Sequence, residues 1–512
     1  MLKKSNLVLI ISLLSVSLVF NFYYGSLGVF PIDTFAFFDS ANFINKGFSP
    51  TRDYWTSNGF FVDLIQSVFF KILGVNWYVY LLHSSLVNFL LAFFTFKFLR
   101  REGLKFKIAL FYSVSVGILA YPSVGVPFPD HHSLIFSIIS IYCLKFFFQK
   151  QSNTLLFIII LLLFVAFLCK QVPAAFYILL SSFYLIIFSL KKKDYLLIFK
   201  IIFFTLSILL IFFLLLKINN FSITNFLIQY IDFPLSIGFS RTNSFDMSSF
   251  VLSLFKEFKF FLLIFLILLY QAIKTNKNKS YLNETNIIFI FTGFISLINQ
   301  EIMKNQNIVF FLLPILIGII HSKIETKKNK NNLFFLSLLI VFNIFITFKY
   351  HEKFNVDRKF MDLQNIDKSK TIKASNISEK LKGLRWVTLT NQTKIKNEVK
   401  LLQDSIEFLR LNKNNSMIIS HYQFINSEIN HSVYSPNRWY TADGVSYPLK
   451  DNKFFDYYVD FFKTQLVKNQ ISKIYTIYPL NEKSFNFVLK SNCIKTREIN
   501  TLLSEHLLIN CF

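Results

Sequence analysis

Apolar residues in this chain run in blocks too long and too unbroken for a soluble helix or a strand. Positions 154–168 and 201–216 hold almost no polar atoms. Such a run, with its flanks, crosses a bilayer at roughly 20 residues, because the hydrocarbon core is about 30 Å thick and a helix rises about 1.5 Å per residue. Inside lipid the backbone must satisfy its own hydrogen bonds, so each run is a helix. The pattern predicts about eleven spans: 6–24, 76–98, 108–121, 132–148, 154–169, 172–190, 195–217, 250–272, 286–299, 308–321 and 332–349. Residues 60–73 are amphipathic and are expected to lie along the interface. Beyond residue 350 the pattern changes. Short apolar runs at 417–420, 474–478 and 507–511 read as strands, and 454–468 reads as an amphipathic helix. The expected fold is an α-helical polytopic membrane domain over 1–349 followed by a soluble α/β domain over 350–512.

Composition agrees: 53% of the 512 residues are hydrophobic and 16% charged, against about 25% charged in soluble proteins. The net charge of +25 would suit a nucleic-acid partner, but the basic residues punctuate the spans instead of forming a patch with interleaved aromatics, which excludes that class. They set an orientation instead, since loops rich in Lys and Arg stay cytoplasmic. Lys3 and Lys4 begin inside. The loops with Arg100, Arg101, Lys105 and Lys107, with Lys191, Lys192 and Lys193, with Lys274, Lys277 and Lys279, and with Lys323, Lys327, Lys328 and Lys330 follow on the same side. Lys304 falls in a short outside loop, and the inside loop around Lys150 is the least basic. A multi-pass plasma-membrane protein is expected, with a cytoplasmic N-terminus and the C-terminal domain outside, facing membrane lipids throughout. The first apolar run resembles a signal peptide but lacks an Ala-x-Ala-like cleavage site, so it reads as an uncleaved span. Cys143 and Cys169 fall in or beside spans; Cys493 and Cys511, in the tail, are either bridged or two free thiols.

The informative polar residues fall in the outside loops. The first carries Asp33, Gly47, Arg52-Asp53-Tyr54-Trp55 and Asn58-Gly59, and the stretch after it ends Leu73-Gly74. In order and spacing these resemble the GT-C superfamily of integral membrane glycosyltransferases, relatives of protein mannosyltransferases and of bacterial lipid A aminoarabinose transferase. Asp130, in Phe128-Pro129-Asp130-His131-His132, resembles the family's second acidic residue, and Lys170-Gln171 a Lys-Gln pair of bacterial members. The matches cover roughly residues 25–180, with agreement in topology up to 350; the tail carries no assigned motif. The resemblance implies a cell-envelope enzyme that moves a sugar from a polyprenyl-phosphate donor to a glycan, lipid or protein acceptor. It also implies that Asp33 is the general base.

The chemistry such transfer needs leads to the same residues. A carboxylate takes the acceptor's proton, and positive charge meets the phosphate leaving group. Asp33 and Asp130 are the catalytic candidates. Arg52, Asp53, Lys170, Gln171 and His131 are the substrate-binding ones, with Arg52 and Lys170 facing the phosphate. A divalent cation on Asp130 and His132 is an open alternative, although His131 and His132 on a helix point about 100° apart. Structural readings stand beside these. Asp33 suits an N-cap of 34–45, and Asp130 one of the fourth span. Asp39 suits a solvated face, Asp53 an ion pair with Arg52 or a nearby Lys, and Lys170 a snorkelling position. Trp439-Tyr440 is the tail's one aromatic pair suited to a binding groove, and it is expected to be a packed loop. Two other functions compete: a transporter or flippase of a lipid-linked saccharide, and an O-antigen ligase or polymerase-like enzyme. A transporter should carry charges at span centres and related halves, whereas these acids gather in outside loops.

Overall fold

The computed structural model describes residues 4–243, 245–275, 285–303, 309–325, 332–357, 370–388, 394–431, 433–478, 489, 493–509 and 511. Lys3, Lys277, Lys279, Lys304, Lys327, Lys328 and Lys330, used above to orient the chain, lie outside them. The chain begins with α1 (Lys4–Gly25), the short α2 (Pro31–Thr34) and α3 (Ala36–Asn45), and α4 (Phe60–Leu73). Six helices follow: α5 (Trp77–Arg101), α6 (Phe106–Leu119), α7 (Pro129–Lys150), α8 (Asn153–Cys169), α9 (Gln171–Lys192) and α10 (Tyr195–Ile218). Next come α11 (Ile223–Leu227), a π turn over Ile228–Asp232 and α12 (Phe233–Asn243), then α13 (Met247–Lys256), α14 (Lys259–Thr275), α15 (Thr285–Met303), α16 (Leu312–Glu325) and α17 (Asn332–Tyr350).

Among the described residues seven helices are long and apolar enough to cross a membrane: α1, α5, α7, α9, α10, α15 and α17. The protein is a polytopic membrane protein. The full count of eleven spans is not met on length alone, because α6, α8, α14 and α16 have 14, 17, 17 and 14 residues. The run expected to cross at 250–272 is broken into α13 and α14 at Glu257-Phe258, where Lys256, Glu257 and Lys259 interrupt the apolar sequence. The expected loop at 218–249 instead carries α11, the π turn and α12.

Burial sorts the helices. In α7 78% of the apolar stretch is enclosed by neighbours, against 11% in α10, so α7 is the axis and α10 turns most of its surface to lipid. Polar side chains inside the bundle find one another, as the cost of an unpaired group in a medium without water requires. Thr95 bonds Tyr142 at 2.8 Å, the Asn343 amide donates to Ser115 at 2.8 Å, and Tyr112 bonds His321 at 3.0 Å.

The described residues of the tail form two sheets. β1 (Ile372–Lys373) and β2 (Arg385–Trp386) pair antiparallel. β3 (Ser416–Ser420), β4 (Val433–Tyr434), β5 (Lys473–Ile477), β6 (Ile494–Glu498) and β7 (Leu503–Leu508) form a mixed sheet in the order β4-β3-β5-β7-β6. α18 (Ile395–Leu411) precedes β3, and α19 (Phe455–Lys468) carries the chain between the parallel strands β3 and β5. The apolar runs located β3 and β5. The last strand starts at Leu503, upstream of the expected 507–511, because its buried positions include Glu505 and His506 and not a continuous apolar run. Glu505 accepts from Lys473 Nζ at 2.9 Å and from the Tyr475 hydroxyl at 3.1 Å, which lets a carboxylate sit inside a sheet. Cys493 and Cys511 are joined in a disulfide that ties the start of β6 to the segment after β7.

The first loop is held between the bundle and the tail. The amides of Gly28 and Val29 donate to the carbonyls of Arg385 and Val387 at 3.0 and 2.9 Å, and Trp55 N–H donates to Pro436 at 2.7 Å. At the centre of this contact lies Arg438, 2% exposed. Its guanidinium donates to the Asp63 carboxylate of α4 and to the Asn58 carbonyl, and lies over the rings of Phe37 and Trp439 at 4.9 and 5.3 Å. Two charges out of water are tolerated only while each has the other. Arg438→Met therefore strands the Asp63 carboxylate and is expected to cost about 3–5 kcal/mol. Thermal unfolding in detergent and trypsin sensitivity of the tail would read this, and Arg438→Met/Asp63→Leu should recover part of the loss. Wild-type melting by the single variant would remove the pair from this role.

Candidate functional site

Two glycines bring the two outside loops of the sequence together. A Cβ on Gly125, whose φ is +78°, would lie 2.2 Å from the Gly25 Cα, so the loop after α6 touches the end of α1 only because neither residue has a side chain. The Asn21 amide lies within 3.0 Å of the Gly125 carbonyl and the Ser85 hydroxyl and 2.8 Å from Ser84, fixing that loop to α1 and α5. The loop then enters α7 with Pro129 at its first helical position, where a missing N–H costs nothing, and Asp130 in its first turn, where the helix dipole favours an anion.

The end of α8 is built from outside as well. Its last carbonyls have no helical partner. The Tyr230 hydroxyl donates to Leu168 O at 2.5 Å, and Gly59 N–H donates to Cys169 O at 2.8 Å. Lys170 follows in an extended conformation, its own carbonyl accepting from Ser133 at 3.0 Å. The Gln171 amide donates to the carbonyls of Ser57 at 2.8 Å and Tyr230 at 2.6 Å. The first loop, α7, the α8–α9 junction and the π turn are thereby locked around one point.

At that point lies a cavity of about 680 Å³. Asp33 and Thr34 from α2, Asp130 from α7, and Lys170 and Gln171 between α8 and α9 line it. Phe128, Phe167, Val172, Ala175 and Leu235 make an apolar side, and Trp439, Thr441, Asp443 and Ser446 of the tail close another. Lys170 Nζ donates to Asp130 Oδ2 at 2.6 Å, the two side chains 12% and 8% exposed. Asp33 is half-buried, within the single turn of α2. It does not cap the next helix: α3 begins after Phe35, with no side-chain cap bond. Asp130 likewise serves an ion pair, and α7 has no side-chain cap either. Lys170 reaches inward to that partner, away from a snorkelling position.

Other expected site residues lie elsewhere. Arg52 donates through Nε and Nη2 to Asp53 at 2.9 and 2.6 Å, and Lys468 Nζ reaches the same carboxylate at 2.8 Å. Burial would raise Asp53's pKa, but these donors and the Ser49 amide outweigh it and hold the carboxyl below its usual range. Arg52 and Asp53 thus join the first loop to α19, away from the cavity wall. His131 and His132 are fully buried in the bundle. His132 Nδ1 donates to Phe128 O at 2.9 Å, and its Nε2 lies 3.0 Å from His83 Nε2. Asp130 and His132 are thus engaged with different partners, and among the described residues no group of three or more His, Cys, Asp or Glu side chains is assembled for a metal.

The sequence reading missed Asp63 and the tail's share of the cavity. An acid on the buried face of the amphipathic α4, beside Gln66 and Ser67, was the available signal for Asp63; contact with a loop over 370 residues away has none. Asp39 also departs from its expected solvated face. It is 2% exposed, accepts from the Asn426 amide at 2.7 Å, and its carboxyl is pushed up to about 8 by burial, against the opposing effects of that bond and of Lys46. Between pH 4 and 8 the folded state keeps a proton that the unfolded state has released, so this group lowers stability as pH rises, by at most about 1.4 kcal/mol per pH unit. Asp39→Asn keeps the acceptor without the charge. It should melt with the wild type near pH 4 and progressively higher towards pH 8; parallel melting curves across that range would contradict the assignment.

No protein-family model matches the chain, and no curated protein matches it.

Proposed function

We propose that this protein is an integral membrane glycosyltransferase of the GT-C type, taking a sugar from a polyprenyl-phosphate donor on the outer face of the membrane. On this reading α6, α8, α14 and α16, with their flanking turns, add to the seven longer helices to make about eleven crossings. The cavity and the tail then lie outside. The Cys493–Cys511 disulfide supports that sidedness, since such bonds persist in oxidising compartments.

The observation that carries the proposal is the meeting of Asp33, Asp130 and Lys170, from three separate elements, on one cavity with an apolar side. A lipid-linked donor presents a chain that needs apolar surface and a phosphate that needs positive charge. Asp33 accepts the proton of the acceptor hydroxyl as its oxygen bonds to the anomeric carbon. The bond from that carbon to the phosphate oxygen breaks, and the electron pair leaves with the phosphate. Lys170 meets the charge that develops there. Asp130 holds the ammonium in place between turnovers. Attack opposite the leaving phosphate inverts the anomeric centre.

The test is transfer from labelled polyprenyl-phosphate sugars in membranes. Asp33→Asn should lower the rate by about 10²-fold or more. Lys170→Ala should raise the donor KM, with Lys170→Arg retaining part of the binding. Undiminished transfer by Asp33→Asn would overturn the role of Asp33.

A further inference from the structure

The tail's contribution to the cavity is a short turn whose residues are suited to a different part of a substrate from Lys170. We propose that the segment from Trp439 to Ser446 is a binding subsite for a sugar ring, with Trp439 supplying an aromatic surface and Asp443, Thr441 and Ser446 the groups that bond its hydroxyls. The inference rests on the transferase reading only for which substrate carries the ring.

The turn is built to hold these groups still. Asp443 Oδ1 accepts from the amides of Val445 and Ser446 at 2.9 and 3.1 Å. Gly444 sits at φ +74°, a conformation that favours glycine. Among the described residues, the bonds Asp443 accepts are both at Oδ1, which leaves Oδ2 for a ligand hydroxyl. Thr441 and Ser446 bond each other through their hydroxyls across the turn, and both line the cavity. Trp439 is fixed from behind, with the Arg438 guanidinium over its ring and Phe37 edge-on at 5.6 Å. Its neighbour Tyr440 is fully buried and bonds Ser435. The aromatic pair that the sequence suggests is a packed loop is thus divided, Tyr440 packed and Trp439 on the cavity wall.

A pyranose ring has apolar C–H faces and a rim of hydroxyls. An amphipathic indole beside a carboxylate and two hydroxyl groups matches that pattern. Lys170 and the apolar side suit the phosphate and lipid, so this turn is left for the polyol.

The other three tryptophans, Trp55, Trp77 and Trp386, are each 0% exposed, so Trp439 is the one an aqueous quencher reaches. Acrylamide quenching of the full-length protein in detergent would be measured with glucose, mannose and N-acetylglucosamine disaccharides, and separately with polyprenyl phosphate bearing no sugar. Protection by a disaccharide, weakened about tenfold in Asp443→Ala, is the expected result. Protection by the lipid phosphate alone, or by none of the probes, would overturn the subsite. In the transfer assay Asp443→Ala should raise one KM by about tenfold: the acceptor's if the ring is the acceptor's, the donor's if it is the transferred sugar. Both constants unchanged would overturn the inference while leaving the transferase reading intact. A wild-type protein that consumes no donor would remove that reading and leave the quenching result standing.

Discussion

Asp63 and Arg438 meet in a space where neither could be charged alone. The carboxylate comes from the helix lying along the bundle, the guanidinium from the tail, and both are buried. Because desolvating an unpaired ion costs several kcal/mol, the bundle's end and the tail have to meet in one registration. Phe37 and Trp439 close over the guanidinium, Asn58 accepts from it, and the backbone of Trp55 donates to the Pro436 carbonyl and accepts from the Arg438 amide. Everything that faces the cavity from the first loop and from the tail is positioned relative to this pair.

A second set of constraints works on the bundle side. The Tyr230 hydroxyl and the Gly59 amide bond the last carbonyls of α8, the Gln171 side chain donates to the carbonyls of Ser57 and Tyr230, and Ser133 holds the carbonyl of Lys170. Each ends on a backbone carbonyl, so together they fix where Lys170 starts while its side chain reaches Asp130. The ion pair keeps a cation at a largely buried position without leaving it uncompensated.

Hydrophobic run length located the helices well, because lipid imposes a minimum length and forbids irregular backbone. It missed the break within a run at Lys256-Glu257, where one expected helix is two. Asp33, Asp130, Lys170 and Gln171 could be picked out because each follows or begins an apolar run. Arg52 and Asp53 could not be told from site residues, since an Arg-Asp pair in a loop looks the same whether it binds substrate or braces a helix. Asp39, Asp63 and Asp443 depend on contacts across hundreds of residues or on a turn's shape, and no local period carries such information. The strand β6, Ile494–Glu498, was missed for a related reason: it is mostly exposed and has no apolar run to mark it.

The separation of Asp63 from Arg438 also gives the molecule an order of assembly. Asp63 is made early, and its partner arrives 375 residues later. At typical synthesis rates of about 5–20 residues per second, that interval is tens of seconds. Throughout it the interfacial helix carries an acid with nowhere to bury it, so the first loop cannot settle against its final neighbours. A chain cut short before Arg438 would hold all its membrane helices and still lack a closed cavity. The last-made part of the protein thereby acts as a check on the completeness of the rest.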